Sequence, residues 1–277
     1  MKKFPDPIDI SSITDFYDEL PFWSAPFGLK LLEKVNYRKS ITALDIGFGA
    51  GFPLVELAER LGNTSHIYGI DPWKDASAKV NRKTGYFGIH NITLIEGVAE
   101  SIPLEKDSVD LIVSNNGINN VSDINKVFSE CSRILKNNGQ FVMTMNLDKS
   151  MFEFYSVLEQ VLLENGMENE VRAMHGHIYE KRKPLEEMTF LLRQNGFVIG
   201  DMELSQFNYR FADGTAMLEH HFIRLAFMES WMKLLPASEA ESIFSRVELL
   251  LNRQAEISGG LNLSIPFVLI NSINHKV

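Results

Sequence analysis

The chain has 277 residues, 45% of them apolar, enough for one large α/β domain or a core with a cap. Its formal net charge is −9 and its longest basic run is Lys181-Arg182-Lys183. These values exclude nucleic acid as the expected partner, and the triplet reads as a solvated loop. The one cysteine, Cys131, excludes an intramolecular disulfide and a thiolate metal cluster. Set among Val127, Phe128, Ile134 and Leu135, it reads as a buried structural thiol.

The start of the chain, Met-Lys-Lys-Phe-Pro-Asp-Pro, carries no apolar segment of the kind a secretory signal needs. The uncharged stretch Ser258–Asn274 holds Gly, Asn and Pro and is too polar to span a bilayer, so the expected location is cytoplasmic. Ile13, Phe16, Tyr17 and Leu20 fall at helical spacing, with Ser11 or Ser12 as cap. An aromatic-rich turn, Pro21–Phe27, precedes a helix expected from Gly28 to Val35. The apolar run Ile41, Ala43, Leu44, Ile46 then leads into Asp45-Ile46-Gly47-Phe48-Gly49-Ala50-Gly51. A helix follows, with Leu54, Val55, Leu57, Ala58 and Leu61 inward and Glu56, Glu59 and Arg60 outward. Strand, glycine loop and helix bring backbone close to a nucleotide-like ligand in a doubly wound sheet. A second strand, His66–Ile70, ends in Asp71, an acid about 20 residues past the loop, where a ribose is held.

The spacing selects among nucleotide ligands. The dinucleotide fingerprint is GxGxxG, but its last position here is Phe52, and the glycines fall as GxGxG. The Gly-Lys-Ser/Thr ending of a phosphate-binding loop is absent. The segment resembles motif I of the class I S-adenosylmethionine (SAM)-dependent methyltransferases. That resemblance implies that Gly47, Gly49 and Gly51 pass under the methionine part of SAM and that Asp71 takes both ribose hydroxyls. It gives Asp45 a structural role, orienting the loop through backbone hydrogen bonds. An NAD(P)-dependent oxidoreductase with an atypical loop is the alternative, disfavoured by Phe52.

Residues 72–90 are expected to form a helix interrupted at Gly85 and Gly88, followed by a third strand, Ile92–Ile95. Glu96–Leu104 resembles the family's G-D-A-x-x-(L/I)-P-(F/L) segment, whose aspartate and alanine read the adenine. Ala99 matches, but Val98 stands at the aspartate position and cannot accept the adenine amino hydrogen. That contact is lost, passes to Glu100, or is made by backbone. Val109–Asn115 is the fourth strand and resembles motif IV, which places Asn115 with the cofactor residues. Asn119 and Asn120 stand where relatives of the ubiquinone/menaquinone-methyltransferase type often have two histidines. Ser122 or Asp123 caps a helix Ile124–Leu135, which ends at Lys136–Gly139 with Gly139 left-handed, before a fifth strand, Gln140–Met145.

Beyond Asn146 the resemblance thins. Met151–Leu163 is helical, and Met174–Tyr179, with His175 and His177, reads as a polar loop lacking metal-ligand spacing. Pro184 opens a helix through Leu192, and strands six and seven are expected at Val198–Leu204 and Ile265–Ile270. Between them, helices Ala216–Leu235 and Ser238–Ala255 exceed what the core needs and read as a lid, about residues 212–257.

The expected architecture is one α/β domain over residues 1–277, a Rossmann-like, seven-stranded, mostly parallel sheet of class I methyltransferase type. It comprises an N-terminal helical flap (1–40), a SAM-binding half (41–146) and a late sheet with lid helices (147–277). The implied reaction moves a methyl group from SAM to a small, partly apolar molecule, with S-adenosylhomocysteine as product and no metal. Positioning dominates such a displacement, and a base is needed only for a protonated acceptor. His220 and His221, about 100° apart if they share a helix, and Tyr17 of the flap are the candidates, with Glu19 and Trp23 as further lining. The aromatic residues Phe207, Tyr209, Phe211, Phe222, Phe227 and Trp231 are read either as an acceptor pocket or as the core of the lid. A SAM-binding module that has lost catalysis is the remaining alternative, kept open by Val98, Asn119 and Asn120.

Overall fold

The structure, a computed structural model, describes residues 23–276. They gather into two compact units, one of residues 23–147, 182–205 and 267–276, the other of residues 148–181 and 206–266. The expected flap helix with Tyr17 and Glu19 lies outside the described residues.

The first unit is built outward from β1 (Thr42–Ile46), whose last four residues are all buried. β1 pairs in parallel with β2 (His66–Asp71) on one side and β4 (Val109–Asn115) on the other. The chain runs outward through β2 to β3 (Ile92–Glu96), then returns across β1 to β4 and on to β5 (Leu135–Asn146). The full order is β3-β2-β1-β4-β5-β7-β6, a seven-stranded sheet. β7 (Leu261–Asn274) is antiparallel to β5, and β6 (Phe197–Phe211) closes the edge. Reversal of direction between β1 and β4 opens a crevice at the carboxyl ends of the strands, where open α/β sheets bind ligands.

Each face of the sheet carries an apolar layer. One holds Leu44, Ile46, Val127, Phe128, Phe141 and Met143; the other holds Leu31, Ala43, Leu54, Leu57, Ile67 and Val113. Helices α1 (Ala25–Lys34) and α2 (Leu54–Leu61) bury Phe27, Leu31, Leu32, Leu54, Leu57 and Leu61. Trp23 and Phe27 are buried, and Phe27 meets Phe267 edge-on at 4.8 Å. These aromatic groups thus anchor α1, as their apolar character allows. Cys131, on α4 (Ile124–Ile134), is fully buried, and burial keeps its thiol protonated.

Several expected boundaries move. Helix α3 (Lys74–Phe87) runs through Gly85 without interruption and stops at Gly88, which is left-handed at φ 68°. After α4, the left-handed residue is Asn138 (φ 62°), not Gly139. Gly139 is needed for space: a Cβ there would lie 2.7 Å from Leu135 Cγ and 2.9 Å from the Lys136 carbonyl oxygen. Asp123 is the cap, its Oδ1 accepting from the Lys126 amide at 2.9 Å. Pro184 sits one position earlier than expected, as the cap of α7 (Leu185–Gln194).

In the second unit, α5 (Phe152–Glu164) is followed by α6 (Glu168–Lys181), which contains the His175–His177 stretch read as a loop. One Gly in that stretch costs only about 1 kcal/mol in a helix, and the buried Met174 together with a His175 Nε2–Glu159 Oε1 contact of 2.9 Å holds it. The segment Phe207–Phe211, assigned to the insertion, continues β6, with Phe207, Tyr209 and Phe211 on one side by two-residue alternation. The expected helix Ala216–Leu235 is broken. It comprises α8 (Gly214–Glu219), α9 (His221–Ile223), a π-helical turn (Arg224–Met228) and α10 (Glu229–Met232), and α11 (Ala240–Ser258) follows. Trp231 stacks on Phe154 at 3.9 Å and donates from Nε1 to Tyr155 Oη at 3.0 Å, so it is core of this unit.

Candidate functional site

The glycine loop lies at the end of β1, beside the crevice. Gly47, Gly49 and Gly51 all have positive φ, at 78°, 48° and 108°. Gly47 is doubly constrained: its φ disfavours a side chain, and a Cβ would come within 2.9 Å of Gly117 Cα. Gly117 follows β4, so the two strand ends meet glycine against glycine across the crevice. The Ser114 hydroxyl ties them again, donating to the Ile46 carbonyl at 3.0 Å.

Asp71 ends β2 and joins two loops. Its Oδ2 accepts from the Gly49 amide at 2.9 Å and its Oδ1 from the Trp73 amide at 2.8 Å. Burial raises its pKa, and the two amides oppose that rise. One lone pair on each oxygen is still available, the arrangement needed to receive two vicinal hydroxyls.

Asp45 departs from expectation. It is fully buried, and neither carboxylate oxygen has a hydrogen-bond partner. Burial first, then the nearby Asp71 charge, push its carboxyl up to about 8; the Leu54 amide opposes this electrostatically without reaching hydrogen-bond geometry. Backbone bonds hold the loop in its place, Gly47 N–H to Ile70 O at 2.9 Å and Gly51 N–H to Phe48 O at 2.8 Å. Lys83 adds a 2.8 Å bond to the Ala50 carbonyl.

Phe52, the residue that broke the dinucleotide fingerprint, has a partner the sequence did not reveal. A Cβ on Gly28 would fall 2.2 Å from its ring, so α1 carries a glycine where the ring packs. Ala99 is buried, whereas Val98 is exposed. The Glu100 Oε1 accepts from the Ser122 and Asp123 amides at 2.7 and 3.2 Å, which commits it to the start of α4. Asn115 donates to Ser24 O at 3.1 Å and accepts from Thr144 Oγ1 at 3.0 Å, tethering α1 and β5 to the end of β4.

The histidine pair belongs to the other unit. His220 stands at the break between α8 and α9, so the pair shares no continuous helix face. Its Nδ1 accepts from the Phe222 amide at 3.2 Å, which leaves the proton on Nε2, 3.3 Å from Tyr209 Oη. Phe211 and Tyr209 pack edge-on to its ring, each at 5.4 Å. Burial, with a smaller contribution from His221, holds its pKa below the usual 6.5. His221 is exposed, and Tyr17 lies outside the described residues.

Residues 44–143 match the family described as "Methyltransferase domain". The matched residues run from β1 into β5 and so include the glycine loop and Asp71. The demethylmenaquinone methyltransferase of Bacillus licheniformis is 32% identical over 125 residues, 45% of this chain and 53% of that relative. The chain thus spans about half the length of the curated relatives it matches. Among solved structures, the YcgJ protein from Bacillus subtilis shares the fold at a TM-score of 0.60 and 19% identity, over 91% of this chain and 98% of that one. A SAM dependent methyltransferase from Aquifex aeolicus does so at 0.54 and 19%, over 70% and 92%. Gly117, inside the matched residues, and Gly28, before them, are the residues that sequence reasoning passed over. Their signal was only that a glycine stood beside a strand end or within a helix.

Proposed function

We propose that this chain transfers a methyl group from SAM to a small, partly apolar acceptor. The observation that carries the proposal is the crevice itself, with positive-φ glycines at 47, 49 and 51 closed on Gly117 and Asp71 at the end of β2. The residues present fit the cofactor. Side-chain-free backbone at Gly47 and Gly51 leaves room for its methionine part, Asp71 suits its ribose hydroxyls, and the buried Ala99 leaves space for an adenine. Glu100 and Asn115 shape the site from behind, each already hydrogen-bonded within the protein. When bound, the cofactor supplies an electrophilic methyl on a sulfonium and leaves as S-adenosylhomocysteine. The protein's task is to align the acceptor behind that methyl and exclude water. Demethylmenaquinone, the acceptor in the names of the relatives, is the first to assay. Among the described residues no helix is long and apolar enough to cross a membrane; a cytoplasmic location and a small-molecule partner belong to the same proposal.

Calorimetric titration with SAM, S-adenosylhomocysteine and NAD(H) tests the cofactor. Asp71→Ala is expected to weaken SAM and S-adenosylhomocysteine alike by about 100-fold, the worth of two bonds to a charged group. Unchanged affinity, or binding of NAD(H) alone, would end the reading. SAM binding with no turnover on any acceptor would mark a binding module.

With Nδ1 accepting from the Phe222 amide and the proton on Nε2 beside Tyr209 Oη, His220 has no lone pair left for proton removal, so we propose a structural role for it as the cap of α9. His220→Ala is expected to lower stability by about 1 kcal/mol, the worth of a lost cap, as read by thermal melting. A variant as stable as wild type would remove that role.

A further inference from the structure

We propose that Glu130 and Arg133, both on α4, are positioning residues for the cofactor, holding the segment after β3 in the shape that receives an adenine. The proposal rests on the crevice being the SAM site, as proposed above. Residues 97–108 join β3 to β4 with no helix or strand of their own. Parallel strands are more often joined through a helix, whose internal bonds fix the course of the chain. Here that course is fixed from outside. The start is tied to the ribose residue, the Gly97 amide donating to the Asp71 carbonyl at 3.1 Å. The rest is held by α4.

Arg133 donates to Glu130 twice, from Nε to Oε1 at 2.7 Å and from Nη2 to Oε2 at 2.8 Å. The pair takes both backbone groups of Ile102. Its amide donates to Glu130 Oε2 at 2.9 Å, and its carbonyl accepts from Arg133 Nη2 at 2.8 Å. Arg133 Nη1 reaches the Leu104 carbonyl, also at 2.8 Å. The arginine holds the Glu130 carboxyl below the usual carboxylate range, so both partners are charged at neutral pH. Forked bonds between charged groups are the strong and directional kind. Glu100 adds a third tie, through the Ser122 and Asp123 amides, and Ala99 and Ile102 are buried with Val127, Phe128 and Cys131 of α4.

The residues so held decide what the clamp controls. Val98 and Ala99 have no hydrogen-bonding side chain, and Glu100 Oε1 already receives two amides. Polar recognition of a purine edge by residues 98 and 99 therefore falls to their backbone N–H and C=O groups. A side chain can swing to meet a ligand, but a backbone group sits where the course of its segment puts it. Glu130 and Arg133 set that course before binding, which spares the ligand the cost of ordering it.

Calorimetric titration with S-adenosylhomocysteine and with S-inosylhomocysteine, in which an oxo group replaces the adenine amino group, tests the positioning role. The proteins are wild type, Arg133→Met, the milder Glu130→Gln and Asn274→Ala, with thermal melting to report how far each variant is destabilised. Asn274 is the structural control, because its Nδ2 steadies the end of α4 from β7, donating to the Ser132 and Leu135 carbonyls at 3.0 and 2.9 Å. Wild type should prefer the adenosyl compound by about 100-fold. Arg133→Met should weaken S-adenosylhomocysteine and cut that preference by about tenfold each, with Glu130→Gln moving both in the same direction. Asn274→Ala should melt at a lower temperature with the preference kept. A preference kept in both clamp variants overturns the proposal, and so does an equal fall in Asn274→Ala. If Arg133→Met does not fold, Glu130→Gln decides by the same criterion. Wild type that binds S-adenosylhomocysteine without preferring it also overturns the positioning role and leaves the methyltransferase reading standing. Wild type that binds neither compound overturns that reading, and the positioning role falls with it.

Discussion

Replacing Asp45 by Asn should stabilise the protein increasingly as pH rises, gaining about 3 kcal/mol relative to wild type between about pH 5 and about pH 7. The carboxyl is raised to about 8 in the folded chain, against about 3.9 in an unfolded one. The folded state therefore binds the proton more tightly. Its stabilising contribution is fully present below the unfolded value and is lost as pH rises through the folded value. Asn keeps the shape of the protonated acid without titrating, so the variant should lack this slope. Urea unfolding of both proteins at a series of pH values gives the difference directly. A constant offset across that range would mean that Asp45 is ionised in the fold and has partners of its own. The same protonation leaves Asp71 as the ionised member of the pair, since two backbone amides stabilise its charge while Asp45 has no hydrogen bond.

Gly117→Ala is the second large effect. The added Cβ would lie 2.5 Å from the Ile46 carbonyl oxygen and 3.2 Å from Gly47 Cα. Both are backbone atoms of the strand end and glycine loop, which we propose hold the cofactor, so neither can swing aside as a side chain would. Overpacking of this kind costs about 3 kcal/mol, and relief requires spreading β1 from β4 at the crevice. Expected together are a clear drop in the urea midpoint and a loss of SAM affinity of about tenfold or more. Gly62→Ala is the contrast: φ there is positive, at 70°, whereas φ at Gly117 is −70°, and no atom lies within 4 Å of the carbon added at Gly62. It carries backbone strain without a clash, so a loss of SAM affinity as large as that of Gly117→Ala would show that the Gly47–Gly117 contact is not the cause.

Local pattern made the first four strands and the glycine loop legible. Apolar alternation, the glycine spacing and Asp71 lie within some thirty residues, and strands β1 to β4 fall where their sequences put them. What escaped were contacts between distant segments. Gly28 and Phe52 are a fitted pair separated by helix, turn and strand, and nothing in either neighbourhood names the other. Gly139 was noticed for the wrong property, because glycine signals both free φ and missing volume, and only packing tells which is used. His220 looked like an interior helical residue because its flanks are apolar at helical spacing; its ring instead caps the following turn. The histidines of α6 read as a loop because polar residues at helix spacing leave no apolar stripe to find.

The order in which the chain visits its two units has a consequence for recombination. Residues 148–181 and 206–266 make one unit, while the intervening 182–205 return to the other. No single crossover between two homologous genes can therefore exchange a whole unit. A functional chimera would need four junctions placed near these boundaries, two of them inside β6 and β7. Inheritance of residues 148–181 and 206–266 from different parents would mismatch the packing inside their unit, so those two segments are expected to travel together or not at all.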